Sequence, residues 1–419
     1  VVDSEHAYRL VQRLHSLLVR RFGEGEIFGP TWEQLITSQR TETEDRQAWW
    51  ATKRTRLLEI AAQKGSAYVY DMERVREAAM SLVSLKSVDN IYYSMKANSH
   101  PEILRVLEQE GVNFECVSPG EIHRLLEVLP DIDRKRILFT PNFAPRSEYQ
   151  WGLDQGTWVT LDNLHPVRYW PKIFKNREIF IRIDTGEGRG HHEHVRTAGT
   201  YSKFGVPLQE IDEMQALLMK AGARVVGLHA HTGSGVLRSD NWRVTGEQLL
   251  GLRKYFPELR FLDLGGGLGI PEKPGERALD LANLDAELQQ IEVGGIEFWL
   301  EPGRFIIGEA GVLLAQVTQT KGKGEMQYVG INVGMNTLIR PALYGAYHEI
   351  VNLTHLAVPP TELVTIVGPI CETGDRLGSD RLLPATNEGD VILIANVGAY
   401  GYTMSSNYNL REPAMEVVI

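Results

Sequence analysis

Cysteine is nearly missing from this chain. It has two in 419 residues, Cys116 and Cys371. Two thiols cannot build a disulfide framework, so a reducing cytoplasm is the expected setting. Long apolar runs are missing as well. No stretch approaches the roughly 18 apolar residues of a membrane span. The N-terminus carries scattered charge in place of a signal peptide's continuous apolar segment. Positive charge is in deficit: 44 Lys and Arg against 54 Asp and Glu leave a net charge of −10. That balance excludes a general nucleic-acid surface. Internal repeats and low-complexity segments are absent from the sequence. His191, His192 and His194 lack the carboxylates or cysteines at ligand spacing that a metal would need, so no metal is expected. Position 1 is Val, which suits a fragment or a processed form.

What is present is an ordinary globular composition, 43% hydrophobic and 23% charged. The length suits about two or three domains. Eight strand candidates stand in the middle: Tyr92–Lys96, Asn113–Val117, Ile137–Thr140, Thr157–Leu161, Ile179–Asp184, Val225–His231, Phe261–Gly265 and Glu297–Glu301. Between them the apolar period becomes helical, most clearly in Pro101–Glu110, Gly120–Val128, Pro207–Ala221 and Asp240–Tyr255. Such alternation is the pattern of an α/β fold with a parallel (β/α)8 barrel, expected over residues 72–305. From 306 to 419 the texture changes. Val312–Val317, Gln327–Val333, Glu362–Val367 and Asp390–Val397 are β-branched runs between turns, and they predict a mostly antiparallel β domain.

Residues 1–45 stand apart as a helical extension or linker. Leu10, Leu14, Leu17 and Leu18 form one stripe of an amphipathic helix. Residues 46–71 read as a lead-in helix followed by a strand.

The chemistry-bearing residues cluster in short motifs. Lys96 ends an apolar stretch in Tyr92-Tyr93-Ser94-Met95-Lys96-Ala97-Asn98. Downstream stand His231-Thr232-Gly233-Ser234, the run Gly265, Gly266 and Gly267, and Glu301-Pro302-Gly303-Arg304. A lysine, a histidine, a glycine run and a carboxylate are the parts that hold pyridoxal phosphate. The lysine bonds its aldehyde, the glycine amides meet its phosphate, and the carboxylate keeps its ring nitrogen protonated. Lys96, His231, Gly265 and Glu301 all fall at or just after strand ends, the face where such barrels build their sites. The glycine run alone would also suit a tight turn or half of a dinucleotide fingerprint. The acidic residue about 20 positions on that a dinucleotide fold requires is not convincingly placed.

In these motifs the chain resembles the pyridoxal-phosphate decarboxylases with an alanine-racemase-like barrel, over about residues 50–419, and within them the branch acting on meso-2,6-diaminopimelate. The resemblance implies decarboxylation of that amino acid to L-lysine and carbon dioxide. It implies Lys96, His231, Glu301 and Cys371 as catalytic residues, with His231 stacked on the cofactor ring. It adds Glu115, Ser234, Gly265, Gly266, Gly267, Gly303 and Tyr400 as cofactor contacts. Arg304, Arg340, Tyr344, Glu372 and Tyr400 would bind substrate. Two guanidinium groups suit a substrate with a second carboxylate, where a simple diamine precursor would want an acid. Glu115 departs from the family's usual aspartate and reaches one methylene further. The early strand Ala67–Asp71 would join the β domain. A homodimer is implied, with Cys371 and Glu372 of one subunit entering the site of the other. Residues 1–45 resemble the tail of an aspartate kinase's regulatory region, which suits either a fused kinase or an ordinary extension. Competing readings are a decarboxylase of ornithine, arginine or a carboxylated polyamine, and a non-catalytic cofactor-binding regulator.

Overall fold

Eight short apolar runs pair in parallel and close on themselves. The computed structural model describes residues 48–186, 202–292, 294–324 and 326–419. The helical stripe of residues 1–45 and the histidines at 191, 192 and 194 lie outside them. The chain divides into two units: a barrel over 72–270 and 278–308, and a β unit over 48–71, 271–277 and 309–419. The barrel was expected as the single interval 72–305. The short excursion 271–277 belongs instead to the β unit.

The first strand, β1 (Ala67–Tyr70), belongs to the β unit. The barrel follows as β2 (Asn90–Ser94), β3 (Asn113–Cys116), β4 (Ile137–Phe139), β5 (Trp158–Leu161), β6 (Glu178–Asp184), the two-residue β7 (Val206–Pro207), β8 (Arg224–His229), β9 (Phe261–Asp263) and β10 (Glu297–Leu300). The order is β5-β4-β3-β2-β10-β9-β8-β6, closed by a β5–β6 pairing, with β7 beside β6. Several strands stop before their expected ends. Lys96 sits in a 3-10 turn, Met95–Ala97, and His231 lies two residues past β8. The reactive side chains therefore leave from turns, where the backbone is no longer bound to a neighbouring strand.

Aromatic rings fill the barrel interior. Tyr92, Trp158, Phe180, Phe261 and Trp299 form one buried cluster with Leu138 and Val226. Phe261 and Tyr92 each lie 4.6 Å from Trp299, ring centre to ring centre. Gly227 on β8 makes room for this packing, since a Cβ there would fall 2.1 Å from the Phe180 ring. The outer helices start where the sequence caps them. Ser118 precedes Pro119 and accepts from the Glu121 N–H at 3.2 Å. Asp280 does the same for Asn283 at 2.9 Å.

The β unit continues with β11 (Gly311–Lys323), β12 (Met326–Ile331), β13 (Ile350–Asn352), β14 (Glu362–Val367), β15 (Arg376–Leu383), β16 (Val391–Ile394) and β17 (Met415–Val418). Its order is β13-β16-β11-β12-β14-β15, and β1 lies between β11 and β17. Most pairings are antiparallel, but β12–β14 and β1–β17 are parallel. β11 serves three neighbours: Gly311–Leu314 pairs with β1 and Leu313–Gln316 with β16, and beyond a bulge near Val317 the strand pairs with β12. Helix Arg54–Lys64 covers this sheet with Leu57, Ile60 and Ala61, which pack on Val69, Val312, Leu314 and Leu393.

Candidate active site

The barrel unit gathers its charged groups just past the strand ends. Lys96 Nζ donates to Glu115 Oε2 at 2.7 Å. Glu115 ends β3 deep in the protein at 1% exposure, while the Lys96 side chain remains 42% exposed. The Thr140 hydroxyl donates to the other Glu115 oxygen. The extra methylene of Glu115 thus still allows a direct ion pair. The lysine is reachable, and its partner is fixed.

Across the barrel mouth Glu301 is buried and bonded to His229, Nε2 to Oε2, at 3.2 Å. Burial would raise its carboxyl. The facing His229 with its hydrogen bond, and the nearby charge of Lys96, outweigh burial and hold Glu301 well below the ordinary carboxylate range. His231 behaves oppositely. Burial, followed by the charges of Arg182 and Lys96, pushes its imidazole down to about 3. His231 is therefore neutral near pH 7. Its Nδ1 accepts from the Gly266 N–H at 3.2 Å, so Nε2 carries the proton.

The glycine run is a close-packed turn. Gly265 and Gly267 have φ of 68° and 84°, which favours glycine. A Cβ on Gly266 would stand 2.1 Å from the Glu301 carbonyl oxygen, and one on Gly267 would stand 2.3 Å from that of Gly233. The Gly265 N–H donates to Asp263 Oδ1 at 2.9 Å and the Gly266 N–H to His231, so both amides already have partners inside the barrel unit. Arg304, expected at the substrate, places Nη2 3.4 Å from Ser234 Oγ. Gly303 caps the short helix Arg304–Ile307.

The β unit carries the other expected residues. Arg340 is 4% exposed, with Nη1 3.1 Å from His348 Nε2 and Nη2 donating to Glu272 Oε1 at 3.2 Å. Its guanidinium is already engaged within the unit. Tyr344 ends the same short helix, Arg340–Tyr344, half-buried. Tyr400 is half-buried with φ of 58°, a costly conformation for a bulky residue and one that tends to mark functional turns. Cys371 and Glu372 are exposed. The Cys371 N–H donates to Asn409 Oδ1 at 3.0 Å, and Asn409 Nδ2 approaches Sγ at 3.1 Å. The Tyr408 hydroxyl donates to Glu372 Oε1 at 2.7 Å, and that bond pushes the phenol up to about 12. Asp375 holds the loop by accepting from the N–H groups of Met335 and Ile370 at 2.6 and 2.7 Å.

These residues fit pyridoxal phosphate. A reachable lysine, a neutral imidazole, a buried carboxylate held charged, and a turn too tight for any Cβ surround one barrel mouth. The comparisons agree. A family model described as pyridoxal-dependent decarboxylase, pyridoxal binding domain, matches residues 72–308. Diaminopimelate decarboxylase of Methanothermobacter thermautotrophicus is 37% identical over 86% of this chain and 88% of its own length. This chain belongs to the diaminopimelate decarboxylase family. The enzyme of that name from Escherichia coli is 32% identical over 86% of this chain and 90% of its own. A crystal structure of the Helicobacter pylori diaminopimelate decarboxylase complexed with L-lysine superposes with a TM-score of 0.79 at 30% identity. The superposition covers 86% of this chain and 94% of that one.

Family motifs do not mark every residue that shapes the site. His229, Asp263, Thr140, Arg182 and His348 escaped the sequence reading. Two of them carried a signal. His229 and Asp263 stand two residues before His231 and Gly265, and residues two apart on a strand share a face.

Proposed function

We propose that this protein decarboxylates meso-2,6-diaminopimelate to L-lysine and carbon dioxide, the last step of lysine biosynthesis, with pyridoxal phosphate as cofactor. The observation that carries the reading is the convergence of Lys96, His231 and Glu301 on one barrel mouth, in a chain that matches diaminopimelate decarboxylases along most of its length. When bound, the cofactor supplies a sink for the electron pair left on the substrate's α carbon. Lys96 Nζ is the amine that would hold it, and Glu115 keeps that amine oriented. Glu301 keeps a negative charge where a protonated ring nitrogen needs one. His231 offers a neutral imidazole face to the ring. Ser234 and the turn Gly265–Gly267 receive the phosphate, with Tyr400 as a further contact, and Arg304 faces the substrate.

On the substrate side, Arg340 and Tyr344 bind the distal carboxylate, Glu372 takes an amino group, and Cys371 returns a proton to carbon. A homodimer in the cytoplasm completes the reading. Cys371 and Glu372 of one subunit serve the barrel of the other, which accords with their exposure in the single chain. Among the described residues no helix is long and apolar enough to cross a membrane. Residues 1–45, which resemble the tail of an aspartate kinase's regulatory region, suit either a fused kinase or an ordinary extension, and the mass of the native polypeptide decides between them. For the activity, carbon dioxide release is measured from meso-diaminopimelate, ornithine and arginine. Release from the first alone is expected. A preference for ornithine or arginine would replace this reading with the competing decarboxylase.

A further inference from the structure

His229 and Asp263 end β8 and β9, and Glu301 directly follows the last residue of the neighbouring β10. His229 lies opposite Asp263 in the β8–β9 ladder, and Asp263 lies opposite Trp299, two residues before Glu301, in the β9–β10 ladder. None is more than 5% exposed. One potential ligand atom from each falls within 4.8 Å of the others. Each also keeps one buried polar atom without a partner among the described residues: His229 Nδ1, Asp263 Oδ2 and Glu301 Oε1. Two ionised carboxylates cannot share so dry a space cheaply. One proton between them removes the repulsion and satisfies two of the three orphaned atoms.

We propose that His229 and Asp263 are positioning residues for Glu301, clamping its carboxylate from two sides with donated hydrogen bonds so that it stays charged and aimed at the pyridine end of the cofactor. This rests on the role given to Glu301 above. Asp263 takes the shared proton. Burial, and then the charge of Glu301, drive its carboxyl well above the ordinary range, whereas Glu301 has His229, Lys96 and His231 about it. The protonated Asp263 then donates through Oδ2, while its Oδ1 already accepts from the Gly265 N–H. His229 donates through Nε2. An ionised carboxylate has about four acceptor sites, so Glu301 can take both bonds and still receive a ring N–H. Asp263 thereby links the glycine turn at the phosphate end to the carboxylate at the nitrogen end.

The test uses the substrate-free holoenzyme with two readouts other than turnover. The first is the infrared band of a protonated carboxyl in protein carrying 13C-labelled aspartate, as the difference between wild type and Asp263→Asn. The second is the NMR resonance of 15N in the cofactor ring, followed with pH. Asp263→Asn keeps an acceptor for Gly265 and a donor for Glu301, and His229→Gln keeps an N–H donor. Both should leave the ring nitrogen protonated. Asp263→Ala and His229→Leu remove a donor, and each should lower the proton affinity of the ring nitrogen about tenfold or more, one pKa unit. The isotope-sensitive band should be present in wild type and lost in Asp263→Asn. No such band, or a ring nitrogen that loses its proton in Asp263→Asn, would show Asp263 to be an anion and overturn the proposal. Glu301→Gln separates the two levels. If the ring stays protonated there, the role of Glu301 itself fails. If only Glu301→Gln strips the proton while Asp263→Ala and His229→Leu do not, Glu301 stands and the clamp falls. Should Asp263→Ala not fold, the band and the His229 pair still decide.

Discussion

At the residue scale, the proposed roles of Glu301 and Lys96 in holding the cofactor are each open to a direct test. Glu301→Gln keeps the shape and removes the charge, so kcat should fall by about 10² or more while the cofactor still binds. Steady-state kinetics on the reconstituted variant checks this, and near-normal kcat would remove Glu301 from the role. Borohydride should trap the cofactor on Lys96, and Lys96→Ala should lose essentially all turnover; peptide mapping to another lysine would refute the assignment. Arg340 calls for two measurements because it is already bonded to Glu272 and His348. Arg340→Ala should cost about 1–3 kcal/mol of stability for buried partners left unsatisfied. A rise in KM confined to diaminopimelate, beyond that loss, would identify a carboxylate fork. An equal small effect on every substrate would make Arg340 structural. The placement of Lys96, His231 and Glu301 just past strand ends was legible in the sequence, because each sits in a compact motif. The engagement of Arg340 was not, since Glu272 and His348 meet it only through the fold.

At the scale of elements, the start of helix Pro119–Val128 carries a pH-sensitive group. Glu121 accepts from the Val117 N–H at 2.7 Å. Burial, then the charge of Glu115, pushes its carboxyl up to about 7 from an ordinary 4.5. The folded chain thus binds this proton more tightly than the unfolded chain. The stability it brings is fully present below pH 4.5 and is lost as pH rises to about 7. Glu121→Gln should lack this dependence. Urea midpoints of the two proteins should diverge across that window, the wild type falling, and parallel curves would contradict the assignment. Gly227→Ala tests the barrel interior. Its Cβ would strike a Phe180 ring that lies 5.7 Å from Phe261, centre to centre, and parallel to it within 4°. The ring has little room to yield, so overpacking should cost about 1–3 kcal/mol in urea unfolding. The eight barrel strands were readable because each is a short apolar run between helical periods. β15 was not, since Arg376–Leu383 holds Gly378 and a left-handed Asp380 where a strand pattern expects β-branched residues. β13 has only three residues and offers no period at all.

At the scale of the whole molecule, the proposed dimer makes a quantitative prediction. Lys96→Ala and Cys371→Ala are each inactive if both residues are essential. Mixed in equal amounts with free exchange, they should recover about a quarter of wild-type activity, because a two-fold dimer then holds one intact site in half of its copies. No recovery despite proven exchange would place each site within one chain. Residual activity of Cys371→Ala is subtracted first, since water can partly replace a thiol as proton donor. The two-part architecture was legible from the change in texture near residue 306, but the excursion 271–277 was not, because its Pro- and charge-rich run reads as an ordinary loop between barrel elements. The place of β1 has a temporal consequence. Ala67 faces Leu314 on one side and Met415 on the other, and the Ile419 N–H bonds to the Tyr70 carbonyl. During synthesis β1 leaves the ribosome before the barrel is made, yet its neighbour β17 is translated after the barrel and the other strands of the β unit. The barrel can collapse while the chain is still growing, but β1 must wait with one edge unpaired until β17 has been made. A product cut short before β17 would keep its whole barrel and lose one partner of β1, and quality control would meet it as an exposed sheet edge.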